Sequence, residues 1–248
     1  MRFKLEFSTD KPELPIEYRK LILSFIKNAL SKSVNGDLLG KYYKDTNTKD
    51  FTWTLIVKQP HFTKEKLEFE GNRFSVIFSA DDRKQTGMYL MMAFLNQKYK
   101  KYPTEEGNCI VLKNILQLPQ YEIRDNVARF ATMPGSSIIV RDHDRVTNRD
   151  RYYSCIDEGY QEKFEQALRN QALIAGFAEE TVEKIKVCSV TGRKIVVRHY
   201  NVFIDASIAE FVISAPHYVL QHFYLQGICG RKSSGFGMVE YRGGVTGD

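Results

Sequence analysis

The chain has 248 residues, of which 43% are hydrophobic and 27% charged. It is long enough for one large domain or two small ones, and too apolar for wholesale disorder. Its formal net charge of +6 keeps nucleic acid and acidic membrane surfaces among the candidate partners, although many soluble proteins are also basic. The four cysteines, Cys109, Cys155, Cys188 and Cys229, form no CxxC pair and no cluster with histidine. We therefore expect no metal site and no cofactor.

The chain opens on MRFKLEFSTD, in which apolar and charged residues alternate, rather than on the apolar stretch of a signal peptide. No apolar run reaches the length of a membrane span. These features predict a cytoplasmic protein with free thiols and no membrane partner.

The first half of the chain alternates strand and helix patterns. A strand is predicted at 1–7, where apolar and charged residues alternate, and a helix at 14–33, where apolar residues recur at helical spacing. The remaining elements are a strand at 51–57, two strands within 66–80 joined by a turn at 70–72, a helix at 81–101 and a strand at 108–118. The order β-α-β-β-α-β is that of a ferredoxin-like domain.

The second half repeats this plan. It is predicted to contain a strand at 137–142, a helix at 157–176, strands at 183–190 and 194–204 joined by a turn at Thr191 and Gly192, a helix at 216–230 and a strand at 235–242. The predicted fold class is therefore α+β, with two tandem ferredoxin-like domains, an architecture also used by RNA-recognition modules. We place the domains at residues 1–118 and 122–243.

A basic, glycine-rich loop, GICGRKSSGFGMVEY at 227–241, connects the last helix to the last strand. A P-loop needs Lys and then Ser or Thr after Gly235, but Phe236 follows, and a helix-to-strand junction also excludes a dinucleotide fingerprint. One interpretation is that backbone N–H groups, hydroxyls and cations of the loop bind a phosphodiester backbone. The other is a flexible helix end followed by a bend. The residues predicted to bind RNA are Gly227, Gly230, Arg231, Lys232, Ser233, Ser234, Gly235, Phe236 and Gly237.

This loop resembles the C-terminal glycine-rich signature of the CRISPR-associated protein 6 family, and two tandem ferredoxin-like domains are also that family's architecture. Together the two features cover nearly the whole chain. The resemblance implies a metal-independent endoribonuclease that cuts precursor CRISPR RNA within each repeat. In that reaction the ribose 2′-OH attacks the phosphorus and leaves a 2′,3′-cyclic phosphate and a 5′-OH. The implied partner is CRISPR repeat RNA, as a stem-loop or single strand, and subunits of a CRISPR interference complex and a second copy of the chain are further candidates.

The resemblance also implies catalytic positions. Many family members use a histidine just after the first helix, a lysine a few residues later and a tyrosine on the first helix. With the strand at 51–57 as anchor, Lys49 falls on the family lysine, Tyr43 or Lys44 on the histidine and Lys27 on the tyrosine. None of the five histidines lies in this part of the chain, so the sequence departs from the family at the general base. A lysine can act as clamp or proton donor, and as a base only with a strongly lowered pKa.

Two further basic segments are candidates for surface contacts. Arg193 and Lys194 follow the predicted turn at 191–192 without acidic neighbours in the sequence, so we expect them to contact the phosphates of the RNA stem; a solvated turn is the alternative. Between 141 and 151, arginines alternate with aspartates, and most are expected to pair with each other. His199 and His222 are interpreted as ordinary strand and helix residues.

Three functions remain open at this point. The first is the endoribonuclease, and the second is a non-catalytic subunit of the same superfamily that holds CRISPR repeat RNA after losing the base. The third is a generic tandem RNA-recognition protein, which requires aromatic platforms on its central strands. The strand at 51–57 offers Trp53, but the expected aromatic-rich signature is missing, so this third function ranks last.

Overall fold

The computed structural model describes residues 1–33, 37–44, 48–104, 107–144, 147 and 149–245. Within these ranges the chain forms two large antiparallel sheets, each covered on one face by helices, and two small ones, and the α+β prediction is confirmed. None of the helices in the described ranges combines the length and hydrophobicity that crossing a membrane requires.

The first half builds a five-stranded sheet in the order β3-β6-β1-β8-β7. Without the short β7, this is the strand order of a ferredoxin-like domain. Helices α1 and α3 pack on this sheet through Phe25 and Phe94, whose rings stack 6.0 Å apart. A separate small sheet joins β2, β5 and β4. The elements are β1 (Arg2–Thr9), β2 (Glu13–Pro15), α1 (Tyr18–Ser31), α2 (Leu38–Tyr43), β3 (Phe51–Ile56), β4 (His61–Phe62), β5 (Lys66–Glu68), β6 (Arg73–Ala80), α3 (Thr86–Leu95), β7 (Lys101–Pro103) and β8 (Cys109–Gln117).

The second half builds a four-stranded sheet in the order β12-β13-β9-β14, again that of a ferredoxin-like domain. Its core is formed where α4 and α6 bury Phe164 and Phe223 against Phe211 of β13. The elements are β9 (Val127–Thr132), β10 (Val140–Asp144), β11 (Arg149–Tyr153), α4 (Tyr160–Ile174), α5 (Glu179–Val182), β12 (Lys186–His199), β13 (Val202–Ser214), α6 (His217–Gln226) and β14 (Val239–Gly244).

The first strand of the second sheet is β9, so the prediction of a sheet strand at 137–142 is wrong. Residues from Val140 onwards instead pair with β11 in a two-stranded hairpin outside the sheet. The apolar run at 138–140 resembles a strand because Ile138 and Ile139 are fully buried. In β9 only Ala128, Phe130 and Thr132 are buried.

The predicted turn at Thr191 and Gly192 is also wrong. Strand β12 continues through both residues, and Gly192 pairs with Ala209 of β13. The turn lies at Tyr200 and Asn201, where both residues have positive φ, 51° and 62°. Paired turn residues with positive φ connect antiparallel strands without splaying them.

Buried polar contacts join the two halves. The side chain of Arg2 is 6% exposed and donates hydrogen bonds to the carbonyl oxygens of Tyr224 at 3.0 Å and Val239 at 2.6 Å. Ser79 Oγ donates to the carbonyl of Leu225 at 2.7 Å. Each of these hydrogen bonds joins a side chain of the first half to a carbonyl of the second half. The two sheets therefore have a fixed relation across this interface.

Candidate nucleic-acid interface

The glycine-rich loop lies against β3, the edge strand of the first sheet. Trp53 Nε1 donates to the carbonyl of Ser233 at 2.9 Å, and Thr52 Oγ1 donates to the carbonyl of Phe236 at 2.7 Å. Phe236 is fully buried. The loop is therefore anchored to the first half of the chain, although it belongs to the second.

The glycines of this loop serve its packing within the protein. Gly235 has φ +85°, and a Cβ there would lie 2.8 Å from the ring of Trp53. Gly237 has φ +69°, and a Cβ there would lie 2.0 Å from the carbonyl oxygen of Ile228. The backbone N–H groups of Gly227, Gly230, Gly235 and Gly237 donate to the carbonyls of Phe223, Ile139, Lys232 and Ser137. The expectation that glycine N–H groups are free to hold an anion is therefore wrong for these four.

The loop's two cations lie in different environments. Arg231 is half-buried; its Nη2 donates to the hydroxyl of Tyr152 at 2.7 Å and lies 4.0 Å from Asp150. Lys232 is only 4% exposed, and its Nζ has no hydrogen-bond partner among the described residues. Burial lowers the pKa of Lys232 to about 7. Lys232 is thus not the surface phosphate contact that its sequence neighbourhood suggested.

A pocket of about 420 Å³ opens beside Lys232. Lys49, just before β3, lines it from the first half, and Arg141, α4 and the loop residues Arg231 and Ser233 line it from the second. None of its described lining residues is acidic. Four basic side chains line the pocket, and Asp150 lies 3.1 Å from Arg141 and 4.0 Å from Arg231. This excess of basic groups favours an anionic ligand such as a phosphate.

Three of the four predicted catalytic residues meet around the ring of Tyr43. Lys27 Nζ lies 4.9 Å and Lys49 Nζ 5.4 Å from the ring centroid. The Tyr43 hydroxyl has no partner among the described residues, and burial raises its pKa. A tyrosine with a raised pKa is a poorer base at neutral pH than a free one. Lys44 is exposed at the end of α2.

Two residues beside the loop were not predicted from the sequence. Arg19 of α1 lies with its guanidinium 4.4 Å from the ring centroid of Phe236, and His199, at the end of β12, contacts the same ring at 5.4 Å. His199 is 4% exposed, and burial lowers its pKa to about 4. No sequence pattern marks either residue, because both environments arise only when the two halves meet.

Buried polar atoms without a partner concentrate in this region. Arg19 Nε, Tyr43 Oη, His199 Nε2, Arg231 Nε and Lys232 Nζ are half of those found in the described part of the chain. Buried polar groups are normally hydrogen-bonded, so such a concentration needs an explanation. Three of the five belong to arginine or lysine, which an anionic ligand would satisfy.

The remaining basic candidates lie elsewhere. Arg193 and Lys194 are in the middle of β12 rather than at a hairpin tip, and Lys194 Nζ forms an ion pair with Asp205 at 2.8 Å. The expectation that both lie at a tip without acidic neighbours is therefore wrong. Self-pairing within 141–151 holds for Arg141, which bonds Asp150 at 3.1 Å. Among the residues that the structure describes, no group of three His, Cys, Asp or Glu side chains is placed to hold a metal ion.

Two ferredoxin-like halves and a basic loop anchored across their interface define a tandem ferredoxin-like protein with a basic cleft between its halves. A family model described as CRISPR associated protein Cas6, C-terminal, matches residues 117–241, half of the chain. The chain belongs to the Cas6 family.

Solved structures share the whole architecture at low sequence identity. A Cas6-related protein from Pyrococcus furiosus superposes with a TM-score of 0.80 at 16% identity, covering 97% of this chain and 98% of that one. A RAMP protein that binds different RNA substrates gives 0.76 at 16%, covering 97% and 99%. A CRISPR associated protein Cas6 gives 0.71 at 18%, covering 97% and 98%. No curated protein sequence matches the chain. These likenesses confirm the tandem ferredoxin-like fold.

Proposed function

We propose that this protein is a metal-independent endoribonuclease that cuts precursor CRISPR RNA within its repeats and leaves 2′,3′-cyclic phosphate and 5′-OH ends. Membership of the Cas6 family supports CRISPR repeat RNA as its ligand. The observation that carries the proposal is the concentration, where the glycine-rich loop meets the first half, of buried nitrogen atoms of arginine and lysine that have no hydrogen-bond partner among the described residues.

The pocket offers a position for the scissile phosphate. Arg141 and Arg231 line it from one half of the chain and Lys49 from the other, so a phosphate there would be held from both sides. Lys49, with Lys27 also beside the Tyr43 ring, supplies positive charge where the phosphorane gains negative charge. Lys49 can also protonate the leaving 5′-oxygen.

A non-catalytic repeat-binding subunit is the second candidate. It is favoured by the state of Tyr43, whose buried phenol has a raised pKa and stands where the family pattern has a histidine. Binding requires only the basic cleft, whereas cutting requires a proton acceptor within it. Subunits of a CRISPR interference complex, or a second copy of the chain, remain predicted further partners of either form.

Cleavage in the absence of metal separates these candidates. We expect the purified protein to cut its cognate repeat RNA at one site in EDTA, because the attacking nucleophile is the RNA's own 2′-OH. A single 2′-deoxy substitution at the cut site should abolish cleavage and leave binding intact. The measurement is gel analysis of end-labelled RNA with mapping of the product ends. Cleavage that needs Mg²⁺, or that proceeds on the deoxy substrate, contradicts the proposed reaction, and tight binding without cleavage identifies the non-catalytic subunit.

A further inference from the structure

Lys232 is held inside the interface between the two halves. It begins a single turn of 3-10 helix, Lys232–Ser234, that ends at Gly235 against the ring of Trp53. Lys232 lines the same pocket that Lys49 lines from the other half. Its Nζ is buried and bonds to no described residue. A buried amine without a partner is costly, and structural lysines avoid this state.

The charged groups that face Lys232 do not neutralise it. Asp81, at the end of β6, bonds the ring of His222 at 2.5 Å and the guanidinium of Arg83 at 2.8 Å. Asp50, just before β3, accepts a hydrogen bond from Thr86 at 2.9 Å. The other titratable or charged groups facing it are Cys229 of the loop, His222 of α6, and the pocket residues Lys49, Arg141 and Arg231.

This environment makes the amine a proton acceptor. Burial is the main cause that lowers the pKa of Lys232 to about 7, and the partial attraction to Cys229, Asp50 and Asp81 opposes it. At neutral pH a large fraction of Lys232 therefore carries a lone pair instead of a proton, as in lysines that act as general bases.

We propose that Lys232 is the general base of the cleavage reaction and fills the place of the histidine that this chain lacks. The inference rests on the proposed function. The Lys232 amine takes the proton of the 2′-OH, and the 2′-oxygen forms a bond to phosphorus. The bond from phosphorus to the 5′-oxygen breaks, its electron pair stays on that oxygen, and the Lys49 ammonium supplies the proton. Lys232 ends as the ammonium and Lys49 as the amine, and exchange with water restores both.

The competing groups fit this role less well. The Tyr43 hydroxyl has a raised pKa. His199 is enclosed by the rings of Tyr200 and Phe236 at 4.6 and 5.4 Å and does not line the pocket. Lys232 and Lys49 line one pocket from opposite halves, which suits a base and an acid on either side of one phosphate.

Replacement by arginine distinguishes a base from a phosphate contact. Lys232→Arg keeps a cation but cannot lose its proton near neutral pH, so we expect single-turnover cleavage about 10²-fold slower or worse. Affinity for the 2′-deoxy repeat should change little. The wild-type rate should rise with pH through the pKa of Lys232, displaced upward by the bound phosphate, and this rise should vanish in the variant. Lys184→Arg, at an exposed position after α5, is the matched control.

Rescue by amines provides a second test should Lys232→Arg fail to fold by circular dichroism. Lys232→Ala should be inactive, and added alkylamines should restore its cleavage in proportion to their unprotonated form. The inference is overturned if Lys232→Arg cleaves at the wild-type rate, or if amines do not restore cleavage by a folded Lys232→Ala. Either result leaves the proposed endoribonuclease function standing. A wild-type protein that binds the repeat without cutting it overturns both.

Discussion

Lys49 lies just before β3, with its Nζ near the Tyr43 ring, and it lines the pocket. This position determines how its replacement should change the cleavage rate. A cation placed where charge develops in the transition state contributes a rate factor of about 10² to 10³. Lys49→Ala should therefore slow single-turnover cleavage by that factor while its affinity for the 2′-deoxy repeat stays near the wild-type value. Lys64→Ala, at an exposed position of the same half, is the control. A Lys49→Ala protein that cuts as fast as Lys64→Ala would contradict the placement of the scissile phosphate.

His199 should make stability depend on pH. Its folded pKa of about 4 lies below its ordinary value of 6.5, because burial disfavours the imidazolium. The unfolded chain therefore binds the proton first, and stability should fall as pH falls from 6.5 towards 4. The full effect is about 3–4 kcal/mol, from about 1.4 kcal/mol for each pKa unit.

Urea unfolding at several pH values measures this dependence. His199→Gln removes the titrating ring, so the difference in unfolding free energy between the two proteins should shrink as the pH is lowered. A difference that stays constant over this range would mean that folding does not shift the pKa of His199.

For single residues, motifs in the sequence predict which side chains belong to the site, but the sequence does not predict which of them are buried. Resemblance selected Tyr43, Lys27 and Lys49, and the structure brings all three together. Lys232 was selected as a surface contact, because a lysine between an arginine and two serines has the sequence of an exposed loop. Its burial depends on β3 of the other half, which no local pattern encodes.

The glycine-rich loop is the element for which the role predicted from the sequence differs most from the role seen in the structure. Glycine runs predict close approach of a ligand, yet here Gly235 admits the ring of Trp53. The same limitation applies to Gly192, which predicts a turn but lies inside the long strand β12. The two helices on each sheet were predictable because their apolar residues recur with a clear period.

Gly235→Ala tests the packing role. The new Cβ meets Trp53 at 2.8 Å in a backbone with φ +85°, so we expect a loss of about 2–4 kcal/mol from strain and overpacking together. Gly71→Ala is the matched control, since its φ is +75° with nothing within 4 Å of the added atom. The difference between the two in urea unfolding isolates the Trp53 contact. Equal losses of unfolding free energy in the two variants would mean that the loop moves to accommodate the added Cβ beside Trp53 with no loss of stability.

At the scale of the whole molecule, the cleft exists only while the two halves keep their relative position. Lys49 reaches the pocket from the first half, and Lys232 and Arg231 reach it from the second. The tandem fold was predictable because the order β-α-β-β-α-β occurs twice, although the first strand of the second copy lies at Val127–Thr132 and not at the predicted 137–142. The interface was not, because it uses isolated polar residues such as Arg2 and Ser79 whose partners are backbone carbonyls far along the chain.

Arg2 offers a direct test of this dependence. Arg2→Met keeps much of the side-chain volume but leaves the carbonyls of Tyr224 and Val239 without their buried donor. We expect a loss of about 2–3 kcal/mol in unfolding free energy. The cleavage rate should fall by more than the unfolded fraction of the protein accounts for, since Lys49 and Lys232 would no longer face one phosphate in fixed geometry. Arg73→Met, exposed on β6 of the same sheet, is the control for loss of charge. The measurements are urea unfolding and single-turnover cleavage at a temperature where both variants are folded. An Arg2→Met protein that cuts as fast as Arg73→Met would show that the cleft is positioned without this interface.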